Sequence, residues 1–279
     1  MIYRITPVLH HSFITHLYLE EKSAATVEKY SRDVRTFAAY AGDRDIEKQL
    51  VLDYKNFLQE RYTVTSANSM LAALNAFFRF CGWHELIIKQ FRLQREAFRS
   101  EEKELTRQEY MRLVTTAERL GKKKISLILQ TICGTGIRVS ELAYITVEAV
   151  QRGETRVCCK GKTRHIFIVP ELRKKLSLFI ENQGIKEGSV FVTKKGLPVD
   201  RTTVWRAMKS LCREAKVAET KVFPHNLRHL FARVFYSMQK DIVTLADLLG
   251  HASINTTRIY TITTGATHKR KMKLMKLIL

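Results

Sequence analysis

Apolar residues recur at three- and four-residue intervals along most of this chain, the spacing that puts them on one buried face of an α-helix. The stretch 8–21 carries Phe13, Leu17 and Leu19 among polar neighbours. A second helix is expected from Ser23, whose hydroxyl suits an N-cap, to about Tyr40, with Gly42 ending it. Its Val27, Tyr30, Val34, Phe37 and Ala38 share one face. A third helix covers 46–61. A fourth, about 66–81, carries Met70, Leu71, Leu74, Phe77 and Phe78 and stops at Gly82. Residues 1–90 thus predict a bundle of four or five helices without strands.

The pattern lapses over 91–104, where Gln94 to Lys103 is polar with little apolar periodicity, as in an interdomain linker. A second domain, 105–267, opens with Thr106 and Glu109 at capping-box spacing and a helix to about Leu120. An apolar helix at 124–133 ends in Gly134-Thr135-Gly136, and a new helix is expected from Arg138. The one β signal is 155–169: Val157-Cys158-Cys159, a turn at Lys160-Gly161-Lys162, then His165-Ile166-Phe167-Ile168-Val169. Helices at 171–182 and 202–216 flank a short apolar Val190-Phe191-Val192. Three more follow at 225–239, 241–249 and 254–261, and 268–279 reads as a basic tail helix. The predicted class is mainly α: a helical N-terminal domain, then an α+β domain with a small antiparallel sheet.

Charge changes the picture. Lys and Arg number 48 against 27 Asp and Glu, a formal +21, which favours a polyanionic partner, and nucleic acid is the commonest. The basic residues are spread along both halves, so the anion is met by a broad surface. No apolar run has membrane-spanning length, and Met1-Ile2-Tyr3-Arg4 leads into polar helix rather than a signal peptide. A cytoplasmic location is expected. The five cysteines form no zinc spacing and no CxxC pair, which implies reduced, mostly buried thiols without metal or disulfide. No cofactor is implied and no P-loop is present.

Within 225–239, Leu227, Leu230, Phe231, Val234, Phe235 and Met238 form an apolar stripe, and His225, Arg228, His229 and Ala232 fall on nearly the opposite face. His225 and His229 are four apart with His251 downstream, which raises a metal site. The metalloprotease form of that spacing needs a glutamate after the first histidine; Asn226 stands there, with no nearby carboxylate in its place. The box Gly134-Thr135-Gly136-Ile137-Arg138 sets an arginine at a helix start, where a guanidinium can clamp two phosphate oxygens. Tyr260 is the nucleophile candidate. A phenol is a poor attacker unless developing charge is stabilised, and two arginines with two histidines supply that for a phosphodiester. An aryl phosphate is easily reversed, which suits cutting and rejoining without nucleotide energy.

Together, Gly134-Thr135-Gly136-Ile137-Arg138-Val139-Ser140-Glu141-Leu142, His225-x-x-Arg228-His229, Leu248-Leu249-Gly250-His251 and Tyr260 resemble the signature of the tyrosine recombinases, the phage-integrase and Xer family. The resemblance spans the second domain in order, and the first domain is similar to the family's core-binding domain. It implies that Arg138 and Arg228 hold the scissile phosphate, that His251 donates a hydrogen bond to it and that His225 assists proton transfer from Tyr260. Tyr260 then forms a 3′-phosphotyrosine and frees a 5′-hydroxyl. A hairpin lysine protonates that leaving oxygen. The turn here is shorter than the family's, so Lys160 is assigned with Lys162 as the alternative. Glu141 would orient Arg138.

The implied partners are double-stranded DNA sites and three further copies in a synaptic homotetramer, with Leu277-Ile278-Leu279 of the tail docking onto a neighbouring subunit rather than a membrane. The chain leaves no room for an arm-binding domain, which places its size near Xer-like or small mobile-element recombinases. Two alternatives share the fold: a type IB topoisomerase, and a DNA-binding regulator without catalysis, to which Tyr260 would be superfluous. The DNA target and the choice among integration, excision, inversion and dimer resolution are not written in the chain.

Overall fold

The computed structural model describes residues 3–92, 103–159, 162–251, 253–260 and 273–274. Most of the expected linker, Lys160 and nearly all of the basic tail lie outside the described residues. The chain divides into two compact units, 1–95 and 96–279.

The first unit is four helices, α1 (Pro7–Leu19), α2 (Ala24–Ala41), α3 (Lys48–Arg61) and α4 (Val64–Phe80), closed by a 3₁₀ turn at His84–Leu86. Thr6, Ser23 and Thr63 cap α1, α2 and α4, each accepting a backbone amide on its hydroxyl. Val27, Val34, Phe37 and Ala41 of α2 and Leu71, Leu74, Phe77 and Phe78 of α4 are buried together. Asn75 donates to Ile88 O (2.8 Å) and accepts from Ile88 N (3.1 Å), while Asn68 does the same with Phe91 (2.9 and 2.8 Å). Two buried amides thus fasten the segment after the last turn onto α4.

The second unit begins with α5 (Arg107–Arg119) and the apolar α6 (Lys123–Thr135). The expected helix from Arg138 is instead a 3₁₀ turn, Val139–Tyr144, followed by the short α7 (Val147–Arg152), which periodicity over so few residues did not announce. Strands β1 (Glu154–Cys159) and β2 (Lys162–Phe167) pair antiparallel from Glu154↔Phe167 to Cys159↔Lys162, so Lys162 belongs to the second strand rather than to the turn. Val190–Val192 forms no strand; its neighbourhood holds only the bridges Thr146↔Ser189 and Val192↔Pro198.

After α8 (Pro170–Gln183), the single helix expected at 202–216 is broken into α9 (Arg201–Lys209) and α10 (Cys212–Ala215). Ser210 caps the break: its hydroxyl donates to Ala207 O at 2.9 Å and accepts from Lys122 Nζ at 3.1 Å. Then come α11 (Pro224–Gln239), α12 (Ile242–Leu249) and α13 (Ile254–Thr257), with a 3₁₀ turn at Arg258–Tyr260 in place of a continuous last helix.

One large core joins Leu113, Ile128, Ile132, Leu142, Val157, Ile166, Leu176, Phe191 and Leu227. A second, small cluster gathers Ala232, Leu245, Leu249 and Tyr260 with Phe231, Phe235 and Tyr236 beside them. Among the described residues, no helix is long and apolar enough to cross a membrane. The thiols are less hidden than expected, with Cys212 buried, Cys81 and Cys133 half-buried and Cys158 exposed.

Candidate active site

The site is built where α6 ends. Gly136 takes a positive φ of 66°, and a Cβ there would sit 2.5 Å from the Phe231 ring, so only glycine lets the chain run this close to α11. Its carbonyl accepts from Arg228 Nη1 at 2.6 Å. Two residues on, Arg138 leaves the turn in extended geometry. Its amide donates to Glu141 Oε2 (2.7 Å) and its Nη1 to Glu141 Oε1 (2.9 Å). The amide at this helix start is therefore already capped. An anion here would be met by the guanidinium, which is 39% exposed, rather than by a helix end.

Arg228 is the largest fully buried side chain, 1% exposed. The face of α11 opposite the apolar stripe is largely buried too: Arg228, His229 and Ala232 are all covered, while Met238 of the stripe itself is 74% exposed. The reason is tertiary. The helix runs between the two clusters, with Leu227 and Leu230 in the large core and Phe231, Ala232 and Phe235 in the small one. Arg228 Nη2 donates to Leu249 O at 2.7 Å and to His251 Nε2 at 3.1 Å. Among the described residues, no carboxylate lies within ion-pair distance of it. Burial first, then the charges of Arg138 and Arg164, lower its pKa to about 10, so it remains a cation at neutral pH.

His251 follows Gly250 at the end of α12, and its Nδ1 lies 2.7 Å from Thr257 Oγ1. A guanidinium has no lone pair to offer, so Nε2 accepts from Arg228 and Nδ1 carries the proton toward Thr257. Burial, and then the positive charges of Arg228, Arg138 and Arg164, pull the His251 pKa down to about 4. Tyr260 is 4% exposed. Its ring stacks on His251 (centroids 5.9 Å) and meets His229 edge-on (4.8 Å), and His229 in turn meets the exposed His225 edge-on at 4.3 Å. The two histidines spaced four apart are thus packed ring against ring with the tyrosine. Asn226, where a metalloprotease would carry glutamate, donates to the carbonyls of Lys103 (2.9 Å) and Lys221 (2.8 Å).

Arg138, Arg228, His251, Tyr260 and Glu141 are thereby brought together, with His225 joined through His229. A cavity of about 950 Å³ opens here, lined by Arg138, Glu141, Arg164, Leu248, Gly250 and His251 among others. Lys160 lies outside the described residues, and of Lys162 only the backbone is described. Two further residues belong to the arrangement and were not singled out from sequence, Thr257 and Arg164, while His229, noted there for its spacing from His225, joins it by ring packing. Of these, Thr257 is fully buried yet polar, and only its distance from His251 reveals it.

Comparison with known proteins supplies a family for this chain. Residues 103–265 match the phage integrase family, and residues 11–85 match the phage integrase N-terminal SAM-like domain. The chain is 30% identical over 271 residues to the tyrosine recombinase XerA of Thermococcus kodakarensis, covering 95% of this chain and 94% of that one. It is 28% identical over 260 residues to the tyrosine recombinase XerD of Halalkalibacterium halodurans, covering 85% and 86%. Among solved structures, a lambda integrase tetramer bound to a Holliday junction superposes with a TM-score of 0.73 at 19% identity, over 91% of this chain and 76% of that one. XerH bound to its difH substrate superposes with a TM-score of 0.70 at 16% identity, over 94% and 97%. The chain belongs to the phage integrase family, the tyrosine recombinases.

Proposed function

We propose that this recombinase cuts and rejoins DNA at specific sites through a 3′-phosphotyrosine on Tyr260. One observation carries the reading: a fully buried guanidinium, Arg228, held by two carbonyls and a neutral histidine. A buried cation without a counter-ion is costly, and a phosphate supplies the missing charge. These bonds use three of its five N–H groups, which leaves two for non-bridging oxygens. Arg138, half-exposed and braced by Glu141, takes the phosphate from the cavity side.

The phenol oxygen of Tyr260 attacks phosphorus, and the P–O5′ bond breaks. The phenolic proton passes to His225, and Lys160 gives a proton to the departing 5′-oxygen. The reverse reaction, with the 5′-hydroxyl of another strand, rejoins the DNA. Attack requires the buried tyrosine to swing out of its pocket between His229 and His251. Double-stranded DNA sites are the partner and four copies form the synapse, a reading supported by the lambda integrase tetramer on a Holliday junction. The enzyme works in the cytoplasm. A duplex nicked next to the cleavage point should trap wild-type protein covalently and leave Tyr260→Phe free; equal absence of adduct from both on a bound site contradicts the reading.

A further inference from the structure

Arg164 is nearly as hidden as Arg228, at 8% exposure, yet it sits on strand β2 rather than in the box or on α11. Its Nη1 donates to Leu248 O at 2.5 Å, and its Nη2 pairs with Glu141 Oε2. One side chain therefore ties three separate segments: the hairpin, the turn that carries Arg138, and the end of α12 that presents His251. Gly250 completes the joint. Its φ is 63°, and a Cβ there would stand 2.5 Å from Arg164 Cδ. The glycine before His251 is thus where the arginine stem passes.

The charge arithmetic gives this joint a purpose. Glu141 is 3% exposed and would, with Arg138 alone, form a neutral pair. A neutralised Arg138 attracts a phosphate weakly. Arg164 supplies the second positive charge to the same carboxylate, so Glu141 can hold Arg138 by amide and guanidinium while the trio keeps one net positive charge facing the cavity.

We infer that Arg164 is a positioning residue for strand cleavage: it offsets Glu141 so that Arg138 stays available to the phosphate, and it fixes the Leu248–His251 turn. The inference rests on the proposed recombinase reading. It concerns a side chain bonded to Leu248 O and Glu141.

The test is single-turnover trapping on the nicked duplex, with wild type and Tyr260→Phe as controls for the recombinase reading itself. Adduct from wild type but not from Tyr260→Phe secures that reading before any Arg164 variant is compared. Arg164→Met should cleave about 100-fold more slowly, on the scale of a lost electrostatic donor, with DNA affinity within about threefold of wild type. Two readouts separate charge balance from simple packing. Glu141→Gln in the Arg164→Met background should recover about tenfold, a coupling that a merely structural loss would not show. A methylphosphonate at the scissile position, which lacks one phosphate charge, should shrink the Arg164→Met defect to below about tenfold.

Should Arg164→Met fail to fold, Arg164→Lys carries the test. Its ammonium keeps the charge but cannot bridge Leu248 O and Glu141, and cleavage should fall about tenfold with the circular dichroism melt retained. Wild-type cleavage by both variants overturns the inference. So does a defect untouched by Glu141→Gln and by methylphosphonate, or one cured by a 5′-thio leaving group, which would make Arg164 a support for the hairpin acid instead.

Discussion

The two arginines proposed to hold the phosphate sit in opposite surroundings. Arg138 is 39% exposed and paired with a carboxylate; Arg228 is 1% exposed and bonded to Gly136 O and Leu249 O. The first is a surface residue aimed by an acid. The second is part of the interior, and joins α6, α11 and α12 as much as it awaits a ligand. Two guanidiniums with one nominal task therefore differ in what their loss should do. Removing Arg138 takes away a donor, whereas removing Arg228 takes away a donor and strands two buried carbonyls.

Arg228→Lys should give the largest effect. Cleavage is expected to fall about 1,000-fold, as for a lost transition-state donor. The urea midpoint should fall as well, because a single ammonium cannot serve both carbonyls and an unpaired buried acceptor costs about 1–3 kcal/mol. Arg138→Lys should slow cleavage about 100-fold, since bidentate geometry is lost, and leave the unfolding free energy from urea titration within about 0.5 kcal/mol of wild type. Equal destabilisation by the two substitutions would erase the contrast.

Thr257→Val is a smaller change. It removes the acceptor at His251 Nδ1, leaves the ring free to turn, and should cost about tenfold in cleavage rate, the scale of a lost supporting bond. The smallest effect is on pH dependence. His251 has its pKa lowered from 6.5 to about 4, so the unfolded chain takes up the proton more readily. Its contribution to stability is full above pH 6.5 and is lost as pH falls from there toward 4. Urea midpoints at pH 7.5 and pH 5 should show this fall, and His251→Gln should reduce it; an identical fall in both proteins would place its origin elsewhere.

The features legible in sequence were those confined to a few residues. Thr106 and Glu109 form the capping box their spacing spelled, with bonds of 3.1 and 2.8 Å. Ser23 caps α2 as expected, and the two-strand hairpin is present. What sequence could not show depends on partners far along the chain. The break at Ser210 was hidden because Val204, Met208, Leu211 and Ala215 keep helical spacing across it. The burial of Arg228 and His229 could not be read locally, because nothing nearby announces α12 and the final turn packing over that face. Arg164 sits beside a turn that drew attention to lysines, and its partners are 23 and 84 residues away.

The central claim is that Tyr260 carries the DNA strand. The most direct measurement is mass spectrometry of peptides from the trapped adduct, with the freed DNA end analysed in parallel. The account predicts a nucleotide mass on the peptide containing Tyr260, linked through a 3′-phosphate, and a free 5′-hydroxyl on the released strand. A nucleotide on another residue, or a 5′-phosphate linkage, would contradict it.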